Sequence, residues 1–94
     1  MPSAALIVHR KRRFDDGAIS ALKLWLVPNP VRGSSHTFRY SLFYGREGER
    51  VVGYDNEPDK GDHRHYAHRE ERYTFTTPEN LIRDLLADVR AARR

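Results

Sequence analysis

The segment Tyr54-Asp55-Asn56-Glu57-Pro58-Asp59-Lys60-Gly61-Asp62-His63-Arg64-His65-Tyr66 gathers carboxylates, imidazoles, a lysine and an arginine in one short stretch. With 62–66 extended, His63 and His65 share one face while Asp62, Arg64 and Tyr66 share the other, because side chains alternate along a strand. Two imidazoles so placed can work on one ligand. Histidine suits proton transfer near neutrality, since its ordinary pKa of about 6.5 lets both protonation states coexist. One of His63 and His65 can act as base towards a ribose 2′-hydroxyl, and the other, or Lys60, can protonate the leaving oxygen. Lys60 or Arg64 would stabilise the phosphoryl charge, and Asp55 or Asp62 would orient an imidazole. Such chemistry needs no metal.

Two other readings of these residues stay open. His63, His65 and a carboxylate such as Asp55 or Asp62 can bind a divalent cation that activates water or a phosphate. His-x-His with a distant acid is a weak signature, and His68 would face away from a straight strand, so the expectation is a site without metal or cofactor. In the other reading, Lys60, Asp62, Arg64, Glu70 and Glu71 form exposed pairs and the histidines lie idle on a solvated sheet face. His9 and His36, isolated in sequence, belong with that reading. Trp25, Tyr40 and Tyr44, at period two, point to core rather than to a base-stacking platform.

The elements that would position these residues follow from periodicity. Apolar and aromatic residues recur with period two through the first two-thirds of the chain, broken by glycine, proline or asparagine. Strands are expected at roughly 4–12, 18–27, 37–44, 49–55 and 62–67, with a short sixth at Tyr73 to Phe75. Asp15-Asp16-Gly17 and Gly45-Arg46-Glu47-Gly48 read as hairpin turns, and Pro28-Asn29-Pro30 opens a loop through Ser35. The second strand should be central. The period then changes to about 3.6: Leu81, Ile82, Leu85, Leu86 and Val89 form one stripe, with Arg83, Asp84, Asp88 and Arg90 opposite. This predicts an amphipathic helix over 78–93, capped by Thr77, with Pro78 and Glu79 in its first turn. The fold class is therefore α+β, an antiparallel sheet of five to six strands with a C-terminal amphipathic helix packed on one face.

At 94 residues the chain has room for one domain, 1–94, and a modest core. It carries 17 Lys and Arg against 13 Asp and Glu, with basic clusters at 10–13, 60–72 and 90–94, and this favours a polyanionic partner without requiring one. There is no cysteine, hence no disulfide or thiolate ligand to reinforce so small a core. Ala4 to Val8 is too short, and in the wrong charge order, for a secretory signal, and no stretch approaches a membrane span. A cytoplasmic protein without a membrane partner is expected.

The Tyr54-Asp55-Asn56 element, a short spacer and Lys60-Gly61-Asp62-His63-Arg64-His65-Tyr66 together resemble the signature of the TumE-like family of toxins from prokaryotic toxin–antitoxin pairs. The hairpin from Tyr44 to Gly53, the Pro78-Glu79-Asn80-Leu81-Ile82 helix start and the length are similar as well. The resemblance implies a growth-inhibiting toxin with a cognate antitoxin, commonly a helix-turn-helix DNA-binding protein. It brings no settled mechanism. Small basic toxins of this size are often ribonucleases, and that analogy joins the His-Arg-His cluster in pointing to RNA as partner and to an endoribonuclease. The candidate catalytic residues are His63, His65, Asp55, Lys60 and Asp62, and the candidate phosphate-binding residues are Lys60, Arg64, Arg69 and Arg72. The alternatives are a non-catalytic nucleic-acid- or protein-binding module, and a metal-dependent hydrolase or transferase acting on a nucleotide or protein target. An open sheet face and free strand edges are compatible with a homodimer or an antitoxin complex, although no interface is legible.

Overall fold

In the computed structural model, which describes residues 4–94, six strands form one antiparallel sheet and a single helix lies against it. The strands are β1 (Ala5–Arg13), β2 (Ile19–Leu26), β3 (Phe38–Arg46), β4 (Glu49–Asp55), β5 (His63–Tyr66) and β6 (Arg69–Arg72), followed by α1 (Pro78–Ala92). Each strand pairs with its neighbours in chain order, so the sheet is a simple meander. The expected α+β architecture is the one observed.

Period-two alternation puts Leu22 and Leu24 of β2, Tyr40, Leu42 and Tyr44 of β3, and Val52 and Tyr54 of β4 on one face. There they meet Leu81, Leu85 and Val89 of α1 to make the core. Each such side chain stabilises the fold by about 1.5–3 kcal/mol when fully buried. Thr77 caps α1 by accepting a bond from the Asn80 N–H at 3.1 Å, Pro78 occupies the first turn, and Glu79 faces the positive end of the helix dipole.

Three details differ from the sequence expectation. The sixth strand is Arg69–Arg72, not Tyr73 to Phe75. It is a run of charges with no apolar alternation to reveal it, and such charge suits a sheet edge. A tight Ala67-His68 turn with Ala67 at φ 56° joins it to β5. Tyr73 leaves the sheet because its hydroxyl bonds Asp84 of α1, and Phe75 because its ring stacks on His36 at 3.9 Å. Next, the β3–β4 turn is only Glu47-Gly48, both at positive φ, with Gly45 and Arg46 still in the strand. Finally, Asp84 and Asp88 do not face solvent. They accept bonds from Tyr73, Tyr54 and Arg64, which fasten the helix to the sheet beside its apolar stripe.

Candidate active site on the open sheet face

Opposite partners in an antiparallel pair share a face, so the register defines what the uncovered side of the sheet carries. One row runs His9–Lys23–Ser41–Asp55–His63–Arg72 across all six strands, and the next runs Lys11–Ala21–Phe43–Gly53–His65–Glu70. Asp55, His63 and His65 thus come together through β4–β5 pairing, with β6 supplying Glu70 and Arg72 beside them. The only carboxylates among the described strand residues of this face are Asp55 and Glu70.

His63 is 5% exposed, and its Nδ1 lies 3.0 Å from the Gly61 carbonyl. A carbonyl only accepts, so Nδ1 carries a hydrogen and the Nε2 edge turns to Asp55. That edge lies against Asp55 Oδ1, with Glu70 Oε1 3.7 Å from Nε2, yet no N–H is aligned on the buried Oδ1. His65 packs edge-on to His63, ring centroids 4.9 Å apart. Its Nδ1 accepts from Arg50 Nη2 at 3.0 Å. Arg50 reaches it by crossing Gly53, where a β-carbon would sit 2.7 Å from Arg50 Cδ.

Burial raises the Asp55 carboxyl above its ordinary range against the pull of His63 and His65. Burial, aided by the Arg50 charge, lowers the His65 imidazole and keeps it neutral at neutral pH. The cluster is therefore a neutral imidazole and a reluctant carboxylate on a cationic surface.

The family model for the toxin TumE matches residues 5–93. The chain belongs to the TumE toxin family. It is thus a toxin of the toxin–antitoxin class, and its family implies an antitoxin as partner. No curated protein and no solved structure matches it.

The remaining sequence candidates of this TumE-family toxin lie elsewhere. Asp62 does orient an imidazole, but that of His36: it accepts from Ser34 Oγ, His36 Nε2 and Tyr40 Oη, each at 2.6 Å. His36 Nδ1 in turn accepts from the Phe38 N–H at 3.1 Å, which fixes its tautomer. Sequence reasoning set His36 aside, and nothing local could have linked it to a carboxylate on another loop. The loops meet because Gly33 and Gly61, both at positive φ, touch backbone to backbone, and because Asp59 N donates to Arg32 O at 2.7 Å. Buried Asn56 completes the join, accepting from Tyr40 N and donating to Phe38 O. Between these loops and residues 72–75 lies a polar cleft of about 520 Å³ to which Lys60 and Arg72 contribute.

Arg64 lies on the helix side of β5, engaged by Asp88 and Glu71 and set against the rings of Tyr54 and Tyr66. Arg69 is exposed on the β6 edge. Lys60 is exposed, 3.7 Å from Glu57. Sequence reasoning missed Arg50, Glu70 and the cationic row on β1–β3, all of which become visible only once register is known. Tyr40 and Tyr44 are core as expected, whereas Trp25 lies half-buried on the open face opposite Arg39.

Proposed function

We propose that this toxin acts on RNA as an endoribonuclease, binding the strand across the open sheet face and cutting it at Asp55, His63 and His65. The observation that carries this reading is the neutral His65, hydrogen-bonded to Arg50, on an uncovered face whose cations include Lys11, Lys23 and Arg39. Those cations suit a phosphate backbone, and half-buried Trp25 and Phe43 offer surfaces for bases. A phosphate that draws Arg50 away uncovers the His65 Nδ1 lone pair beside the scissile group, where it can take the proton of the attacking 2′-hydroxyl while the leaving 5′-oxygen is protonated by water. His63, little exposed, with Nδ1 held by the Gly61 carbonyl and its Nε2 edge against Asp55, is a positioning residue for Asp55. An antitoxin covering the basic face would silence the site by occlusion.

Among the described residues no helix is long and apolar enough to cross a membrane. The test is induced expression of wild type beside His65→Ala and Arg50→Ala, with total RNA run from each culture and folding checked by melting. Growth arrest with fragmented RNA in wild type, and neither in the folded variants, is the expected result. Arrest with intact RNA would refute cleavage and leave the toxin with another target.

A further inference from the structure

We infer that Asp55, His63 and His65, with Glu70 beside them, form a binding site for a divalent transition cation of the zinc class. This deepens the proposed function and rests on it only for what the cation does, not for whether it binds.

Four observations converge. One ligand atom from each of Asp55, His63 and His65 lies within 4.8 Å of the others, near enough that small side-chain rotations would bring all three onto one cation at about 2.0–2.2 Å per ligand. His63 donates Nδ1–H to the Gly61 carbonyl at 3.0 Å, the outer bond that holds the tautomer of a metal-ligating histidine and aims Nε2 inward. Asp55 Oδ1, buried against that Nε2, has no hydrogen-bond donor aligned on it, although buried carboxylate oxygens are otherwise paired. A cation that parts the two groups and lies between their lone pairs would satisfy both. The fourth observation is charge. On a face whose other charged side chains among the described strand residues are lysines and arginines, the two carboxylates sit together at this point, Glu70 Oε1 being 3.7 Å from His63 Nε2. The charges of two carboxylates balance that of a dication.

The mixed nitrogen and oxygen donor set favours zinc or its first-row neighbours over magnesium, which prefers an oxygen shell. Half-exposed Glu70 is the ligand best placed to give way to a phosphate oxygen or a water. The cation would take the His65 Nδ1 lone pair from Arg50, freeing Arg50 for the phosphate, and would polarise the phosphoryl group in place of the proton transfer that His65 performs without metal.

The experiment uses the whole chain, stripped with chelator and dialysed against Zn²⁺, Mg²⁺ or Co²⁺ at equal concentration. Bound metal is counted by elemental analysis, and the Co²⁺ form is examined for the visible absorption of a low-coordinate nitrogen-containing site. Wild type should bind one equivalent of Zn²⁺, bind no Mg²⁺, and melt higher as Zn²⁺ concentration rises. Asp55→Asn and His65→Gln should lose that equivalent and the melting shift, while His68→Ala keeps both. His65 is only partly buried, so its variant keeps the test valid should Asp55→Asn unfold. Failure of wild type to bind Zn²⁺, or binding that survives both substitutions, overturns the site. RNA cleavage is assayed on the same samples. Zinc binding without cleavage retains the metal site and removes the ribonuclease reading, whereas cleavage without zinc binding does the reverse.

Discussion

Arg64 meets Asp88 through two parallel hydrogen bonds, Nε to Oδ2 and Nη2 to Oδ1, each 2.9 Å long. The fork ties β5 to α1, and Tyr54 donates to the same carboxylate. Fork-to-carboxylate pairing of this kind is charge-assisted and directional. Arg64→Ala should therefore cost about 2 kcal/mol, a fall in melting temperature on the order of 10 °C. Arg64→Lys should recover little, because a lysine cannot make the paired contact. If thermal melts show Arg64→Ala as stable as wild type but weaker in RNA binding, this residue works on substrate instead.

Asp62 gives a second stability prediction. Its carboxylate collects hydrogen bonds from Ser34, His36 and Tyr40 with only a tenth of its side chain exposed. Asp62→Ala strands all three partners and should cost at least about 2 kcal/mol, with Asp62→Asn intermediate. Zinc uptake at Asp55 should be unaffected in whatever fraction remains folded. Denaturant titrations alongside metal analysis check both halves.

A third prediction concerns alkaline pH. Burial, and then hydrogen bonds to Asp62, Asp88 and Asp84, hold the phenols of Tyr40, Tyr54 and Tyr73 well above their ordinary range. Unfolded tyrosines lose their protons near pH 10, while these three keep theirs in the fold. Above that pH the folded state binds more protons than the unfolded one, so stability is fully present below about pH 10 and declines as pH rises further. Ultraviolet titration should show these three of the chain's five tyrosines ionising only as circular dichroism reports unfolding. Ionisation of all five before any loss of structure would contradict the hydrogen-bond assignment.

Gly53→Ala separates function from folding. The added methyl meets Arg50 Cδ at 2.7 Å, and Arg50 is an exposed, flexible chain that can move aside. Stability should stay within about 0.5 kcal/mol of wild type, as for other changes that disturb only surface groups. Growth arrest should weaken, because Arg50 no longer lies beside His65. Undiminished toxicity would show that the Arg50–His65 contact is dispensable.

Periodicity made most of the fold legible. The leucine alternation of β2, the aromatic alternation of β3 and the 3.6-residue stripe of α1 each report burial on one face, and burial is what pattern records. β6 has no apolar residue and escaped notice. The His63–His65 pair was legible because strand geometry alone puts the two rings on one side. Its partners were less so: Asp55 became certain only when β4–β5 register placed it opposite His63, while Arg50 and Glu70 needed the bulge and the edge strand. The His36–Asp62 network was out of reach, since it depends on two glycine loops meeting in space.

The meander order has a consequence for how the protein comes into being. Each strand needs only the one before it, so pairing can proceed hairpin by hairpin with short loops to close, a topology that favours rapid folding. α1, however, follows all six strands in the chain. Until it docks, Leu22, Leu24, Leu42 and Val52 line a sheet with nothing over it, and a nascent sheet of that kind is prone to stick to its neighbours. The register of this toxin is settled early in synthesis, and its solubility late.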